Sequence, residues 1–269
     1  MRSSRDRALA ALVAASDAGA GHDPAGLTVV GNGLDHDVYR TGDLVLRVGN
    51  PATVAREAAL LQRLADALPC PVPVPELVDE VQGVLGHRWL PGEPLHGRPA
   101  PPGLAAVLGL VLRRLHDVDV GGLADLGLPE EGDDLSVLAD DLTGPEHLVA
   151  TVRRTVPEPG PHRVLVHADL GSEHLLVADG RLSGVLDWSD AAVSDPAVDF
   201  ARLLRDFGPA FLGDVVAAYG GPPDDGFAER VLFVARCAAL EDLAYGVATG
   251  RAAYSTAARA ALGRLFPGR

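Results

Sequence analysis

The chain contains no lysine: all 23 basic residues among its 269 are arginine. Chemistry that depends on an ammonium group is thereby excluded, including the lysine of a Walker-type phosphate loop and Schiff-base catalysis. Cysteine is scarce too, with only Cys70 and Cys237, far apart and matching no metal-ligand or redox spacing. Such thiols fit structural roles in a reducing, cytoplasmic setting. No apolar run approaches the ~18 uninterrupted residues of a membrane-spanning helix, so no membrane partner is expected. Basic surface is lacking as well: the formal net charge is -14 and no basic stripe interrupts it. The electrostatic footprint of a nucleic-acid binder is missing, and cationic small molecules are the natural partners. Aromatic residues make up only 4% of the chain, which leaves few stacking platforms from which to read an acceptor.

What is present is enough apolar residue, 47% of the chain, to build a sizeable core in one large domain or two lobes. Arg2, Arg5 and Arg7 ahead of the alanine-rich stretch Ala8–Ala15 superficially resemble a signal peptide. Asp6 beside the arginines, and Leu9, Leu12 and Val13 on one helical face, favour a folded helix. Strand-like runs follow at 27–30, 38–40 and 44–48, with a Gly31-Asn32-Gly33 turn between the first two. A helix is predicted from Val54 to Leu68, with Leu60, Leu61, Leu64 and Leu68 on its apolar face. Prolines at 69, 71, 73 and 75 enforce an extended connector into strands near 77–79 and 83–90, and Pro91-Gly92-Glu93-Pro94 breaks the run. This divides the chain into an N-terminal lobe, residues 1–91, and a C-terminal lobe, residues 92–269.

The second part opens with a strong helical stripe of Leu104, Val107, Leu108, Val111, Leu112 and Leu115. Residues 121–150 are rich in Asp and Glu with no arginine, a pattern that reads as a solvated face. A helix is expected near 145–155. Another begins after Asp195-Pro196, with Asp195 as N-cap and Pro196 as first helical residue. The tail from Phe211 to Phe266 is helical in pattern, interrupted at Gly220-Gly221-Pro222-Pro223.

Chemistry concentrates between Val164 and Trp188. Two apolar strand-like runs, 164–166 and 175–177, bracket a polar loop carrying Asp169, and a third run after the Ala178-Asp179-Gly180 turn ends at Asp187. Two carboxylates are thus fixed at rigid edges. Phosphoryl transfer needs one carboxylate to orient the attacking hydroxyl and take its proton, and another to hold a Mg²⁺ that bridges nucleotide phosphates.

His167-Ala168-Asp169, Leu186-Asp187-Trp188 and Ser194-Asp195-Pro196-Ala197-Val198-Asp199 together resemble the aminoglycoside phosphotransferase family, which shares the kinase-like fold. The motifs lie closest to those of macrolide phosphotransferases and aminoglycoside 2''-phosphotransferases. The resemblance covers nearly the whole chain. It implies an α+β, two-lobed, protein-kinase-like fold: a small lobe with an antiparallel sheet and one helix, and a larger, mainly helical lobe with a catalytic hairpin.

The resemblance also implies roles. Asp169 would be the catalytic base, Asp187 the Mg²⁺ ligand, and His174 would stand where the common pattern has an asparagine metal ligand. Imidazole suits a hard Mg²⁺ ion less well than oxygen does. Gly31, Gly33, Arg47, Glu57, Arg88 and Leu90 would serve the nucleotide, with Arg47 in place of a strand lysine and backbone groups of residues 87–90 meeting the purine edge. His167, Asp195 and Asp199 would orient the catalytic loop. Glu241 and Asp242 would face a cationic acceptor; being adjacent on a helix they diverge by about 100°, so only one can point squarely into a given site.

The implied activity is transfer of the γ-phosphoryl of ATP or GTP, with Mg²⁺, to a hydroxyl of an aminoglycoside or macrolide, giving resistance. A kinase of a small metabolite shares the same catalytic loop, and a nucleotide-binding pseudokinase is the reading that His174 and Arg47 motivate. A protein kinase is disfavoured, because the seven residues from Trp188 to Ser194 leave no room for an activation loop. Monomer and homodimer are both compatible with the sequence.

Overall fold

A computed structural model describes residues 3–17, 23–32, 36–132 and 134–267. The first helix, α1 (Ser4–Asp17), opens on a reciprocal cap: the Ser3 amide donates to Asp6 Oδ2 at 3.2 Å and the Asp6 amide to Ser3 Oγ at 3.2 Å. Arg7 then donates to the carbonyls of Gly49 and Gln82, tying the helix to the sheet. Its buried face is Ala8, Ala11 and Leu12, whereas Val13 is 48% exposed. The Leu9, Leu12 and Val13 face read from the sequence is therefore turned by part of a step. Small residues let the helix lie closer to the sheet than a valine would.

Strands β1 (Thr28–Asn32), β2 (Asp37–Thr41), β3 (Leu44–Val48), β4 (Pro75–Asp79) and β5 (Val84–Arg88) form an antiparallel sheet in the order β1-β2-β3-β5-β4. Helix α2 (Pro51–Leu64) starts three residues before the predicted position, because Asn50 caps it by accepting from the Ala52 amide at 3.0 Å and Pro51 supplies the first turn. It also ends four residues earlier, although Leu68 stays buried in the turn beyond it. The sheet carries two cores. Leu12, Tyr39, Leu46 and Val84 pack under α1, while Leu60, Leu61, Leu64 and Leu85 join a larger core that continues into the helices.

The connection out of the sheet passes through Pro91 and Gly92, whose φ of 113° is open to glycine. A Cβ there would sit 2.8 Å from the Val177 carbonyl carbon. Strand β6 (Glu93–Pro94) can therefore lie against β8 (Leu175–Ala178), which pairs with β9 (Arg181–Val185), while β7 (Val164–Val166) pairs with β10 (Ala192–Ser194). Helices α3 (Leu104–His116), α4 (Val137–Asp140), α5 (Glu146–Arg154), α6 (Ala197–Tyr219), α7 (Phe227–Thr249) and α8 (Ala252–Leu265) complete the larger lobe. The α3 stripe is buried at Leu104, Leu108, Val111, Leu112 and Leu115, but Val107 is 39% exposed at its margin. Helix α6 is broken at Gly208, with φ 82° and ψ 179°, just before Pro209, a kink that the helical periodicity conceals. Among the described residues, no helix is long and apolar enough to cross a membrane.

Candidate functional site

β7 ends by delivering His167 into the interior, where the side chain is fully buried. Asp199, at the start of α6, accepts from the amides of His167 at 3.1 Å and Ala168 at 2.9 Å. Its carboxylate also meets His116 Nε2 at 3.1 Å. The His167 ring donates from Nε2 to the Leu186 carbonyl at 2.9 Å and accepts at Nδ1 from the Asp169 amide at 3.2 Å. Both bonds require the neutral ring, and burial depresses its pKa accordingly. Trp188, whose ring centroid lies 4.5 Å from that of His167, closes the floor.

Against this floor the backbone takes two unusual turns. Ala168 has φ 69° and Asp187 φ 59°, left-handed values that non-glycine residues seldom adopt. Each turn lifts a carboxylate clear of its strand: Asp169 follows the first and Asp187 is the second. The ring of His174, at the end of the short helical turn Ser172–His174, lies between them. Its Nδ1 donates to the Asp169 carbonyl at 2.8 Å and lies 3.5 Å from Asp169 Oδ2, while Nε2 is 3.8 Å from Asp187 Oδ2. The two carboxylates thus stand one imidazole apart. Burial would lower the His174 pKa, but Asp169, Asp187 and Glu173 together raise it.

Asp187 also ties the lobes together. Its Oδ1 accepts from Arg47 at 2.6 Å and from Ser189 Oγ at 2.9 Å, and Arg47 on β3 in turn pairs with Glu57 on α2. Burial pushes the Asp187 carboxyl upward; Arg47, and then His174, outweigh it and hold the pKa well below the ordinary carboxylate range. The second Glu57 oxygen, Oε1, is buried without a hydrogen-bond partner. Among the described residues no three His, Cys, Asp or Glu side chains are grouped to hold a metal ion by themselves. The acid oxygen left for a hard cation is Asp187 Oδ2. A Mg²⁺ ion completes such a shell with phosphate oxygens and water rather than with a protein cage, so the donor set fits it.

The remaining predicted residues are scattered. Gly31 lies in β1 beside a register shift and Gly33 falls outside the described residues. Arg88 points away from the cleft, 78% exposed and paired with Glu76, so its side chain serves the surface. Of the backbone groups expected to meet a purine, the Arg88 carbonyl accepts from its neighbour's His87 ring and the Trp89 amide donates to the Asp43 carbonyl. Leu90 packs over Gly184 on β9. Asp195 caps α6 through the Ala197 amide at 2.8 Å and binds buried Arg230 at 2.7 Å, away from the reacting groups.

Glu241 and Asp242 both line the cleft, although their spacing predicted that only one would face it; Asp242 is held there by Arg205 at 2.9 Å. Burial pushes the Asp242 carboxyl up to about 6. Arg205 is only 3% exposed and also binds Glu173 at 3.2 Å and Asp206 at 2.7 Å; Asp206 accepts from the Ser172 amide at 2.6 Å. The loop holding His174 is braced from below by this cluster.

Several participants went unread in the sequence. Arg202 brings Nε to 3.4 Å from Asp169 Oδ1, and His36, Ser189, Tyr245 and Tyr254 line the same cleft of ≈ 300 Å³. A signal for Arg202 and Asp206 existed: they lie three and seven residues beyond Asp199, on its helical face. Glu131, Leu135, Val137 and Leu138, within the acidic stretch read as solvated, wall a second cavity next to Ala168. Cys70 and Cys237 are free and buried, and burial pushes both thiols up to about 12.

Comparison with known proteins agrees with this geometry. The sequence pattern described as "Phosphotransferase enzyme family" matches residues 26–231. Viomycin phosphotransferase of Streptomyces vinaceus is 40% identical over 96 residues, which cover 34% of this chain and 33% of that protein. Aminoglycoside 3'-phosphotransferase of Escherichia coli is 28% identical over 216 residues, 69% of this chain and 77% of that protein. The apoenzyme structure of macrolide 2'-phosphotransferase from Brachybacterium faecium superposes with a TM-score of 0.71 at 29% identity, covering 97% of this chain and 99% of that one.

Proposed function

The chain belongs to the phosphotransferase enzyme family, and from that premise we propose that it moves the γ-phosphoryl group of ATP or GTP to a hydroxyl of an aminoglycoside or macrolide antibiotic. The observation that carries the proposal is the pair of carboxylates, Asp169 and Asp187, held one imidazole apart at the ends of a rigid hairpin. Relatives named for viomycin, aminoglycosides and macrolides support the choice of acceptor. The lobes divide at residues 91–92, with the nucleotide entering between them from the β3 side.

In this scheme Asp169 accepts a hydrogen bond from the acceptor hydroxyl and takes its proton as the oxygen attacks. Arg202, beside Asp169 Oδ1, restrains the carboxylate. Arg47 offers its guanidinium to the phosphates while Glu57 keeps it in place. His167 stays neutral and holds the loop, and His174 adds positive charge between the acids. Asp187 would hold Mg²⁺, which neutralises charge on the phosphate oxygens.

A nucleoside-triphosphate turnover assay across an antibiotic panel, run separately with ATP and GTP, tests the reading. Stimulated turnover with a phosphorylated product in the mass spectrum is the expected result. Nucleotide binding without acceptor-stimulated turnover would favour a pseudokinase. A single metabolite with far better kcat/KM than any antibiotic would favour a metabolic kinase.

A further inference from the structure

Arg202 stands beside the catalytic base with its hydrogen-bonding capacity unused among the described residues. It lies on α6, three residues past Asp199, whose carboxylate holds the amides of His167 and Ala168. The same helical face carries Arg202 to Asp169, and its neighbours Phe200, Ala201 and Leu203 are fully buried, so its backbone is fixed. Nε comes to 3.4 Å from Asp169 Oδ1 but makes no hydrogen bond, although that atom is buried. In the resting cleft charge alone holds the pair. A guanidinium has five N–H donors, and a buried donor left unsatisfied is a costly feature that calls for a partner.

The other groups able to carry positive charge near Asp169 and Asp187 are committed. Arg47 faces Glu57 and Asp187, and His174 donates to the Asp169 carbonyl. His36 and Arg251 also have partners, and Arg251 lies over the Tyr245 ring at 5.6 Å. Arg56 lines a neighbouring cavity, not the cleft that holds the two aspartates. The loop itself brings no cation in the four residues after Asp169, which are Leu170, Gly171, Ser172 and Glu173.

Transfer changes the charge beside Arg202. The acceptor oxygen forms a bond to the γ-phosphorus while the bond from that phosphorus to its bridging oxygen breaks, and the electron pair leaves with the nucleoside diphosphate. The hydroxyl proton goes to Asp169, which becomes neutral. The phosphoryl oxygens move from Arg47 toward the acceptor side, where Arg202 has just lost its counter-charge.

We infer that Arg202 is a catalytic residue of the transfer step: as Asp169 takes the proton, the guanidinium turns from that carboxylate to the oxygens of the arriving phosphoryl group. The inference rests on the phosphotransferase reading and adds to it the group that receives the moving charge. A cation that gains its partner only as the bond forms stabilises the transition state more than the ground state, so it acts on kcat rather than on binding.

The test starts from the parent with an antibiotic of the panel that it phosphorylates. Arg202→Met keeps an apolar stem and removes the charge; kcat should fall about 10²- to 10³-fold, with KM for nucleotide and acceptor within about threefold of the parent. Arg202→Lys, which keeps the charge without the fork, should recover part of the loss. A brace for Asp169 would lower kcat too, so calorimetric titration separates the two roles. Aluminium fluoride with the nucleoside diphosphate mimics the phosphoryl group in transit. In an Asp169→Asn background, where a brace has no charge to hold, adding Arg202→Met should still weaken binding of that pair at least about tenfold. Binding of the diphosphate alone should not change, which also shows that the cleft has formed.

A kcat within about threefold of the parent, or aluminium fluoride binding unmoved by Arg202→Met, overturns the inference and leaves the phosphotransferase reading standing. A parent that phosphorylates no acceptor of the panel overturns that reading and the inference with it.

Discussion

The two ends of the cleft spend their charge in opposite ways. At the phosphoryl end, Glu57, Arg47, Asp187 and His174 run in one chain from α2 across the lobes, each charge facing its opposite. At the acceptor end, Arg205 gathers Glu173, Asp206 and Asp242 beneath the surface and leaves Glu241 and an apolar hollow facing outward. The first arrangement suits a ligand whose charge does not vary, since every triphosphate brings the same anion. The second presents an apolar wall and exposed carboxylates, features that can change without touching the chemistry. The same separation explains why reaction class follows from two aspartates while acceptor identity depends on helix packing.

Breaking the phosphoryl end should have the largest effect. Asp169→Asn keeps the shape of the side chain and removes the proton acceptor, so kcat should fall by about 10²- to 10⁴-fold in the coupled turnover assay. Unchanged kcat would remove Asp169 from the chemistry. At the acceptor end the corresponding break is structural. Arg205→Met leaves three carboxylates crowded around a neutral side chain, and denaturant unfolding should show a loss of about 3–5 kcal/mol, the cost of breaking a buried ion pair. A loss under about 1 kcal/mol would mean that the cluster does not brace the loop carrying His174.

Legibility followed the same division. The hairpin could be read because strand periodicity, a turn and two acids converge within 25 residues, Val164 to Trp188. Asp199 was marked by its place after Asp195-Pro196, and it does hold the amides of His167 and Ala168. Arg202, on the same helical face, was passed over because an arginine in an amphipathic helix has many uses, and only its distance to Asp169 separates them. Arg88 was assigned to the nucleotide through backbone groups before the lobe boundary, and strand alternation sends its side chain out to Glu76. The kink at Gly208 and the cavity wall at Leu135, Val137 and Leu138 depend on which elements meet in space, and no local pattern encodes that.

A milder test of the acceptor end uses pH. Burial raises the Asp242 carboxyl to about 6 in the folded chain, above the ~3.9 of an unfolded aspartate. The folded state therefore binds this proton more tightly than the unfolded state does. Stability from Asp242 is fully present below about pH 4 and is lost as pH rises through about 6. Asp242→Asn does not titrate, so the stability difference between variant and parent should move in the variant's favour by about 1–3 kcal/mol between pH 4 and pH 7. Parallel curves for the two proteins would show that Arg205 cancels the burial cost of the carboxylate.

The smallest effect belongs to a region remote from both ends, and it separates two readings of α1. An alanine-rich helix has no dominant apolar stripe, so its periodicity allows more than one buried face. The structure turns Ala8, Ala11 and Leu12 toward the sheet and leaves Val13 48% exposed. Val13→Ser should then change stability by no more than about 0.5 kcal/mol in denaturant unfolding, as expected for a surface site. Were Leu9, Leu12 and Val13 the packed face, the same change would bury a hydroxyl against the sheet and cost more than about 1 kcal/mol. Because Arg7 already fixes the rotation of the helix through Gly49 and Gln82, the exposed setting of Val13 follows from where those carbonyls lie.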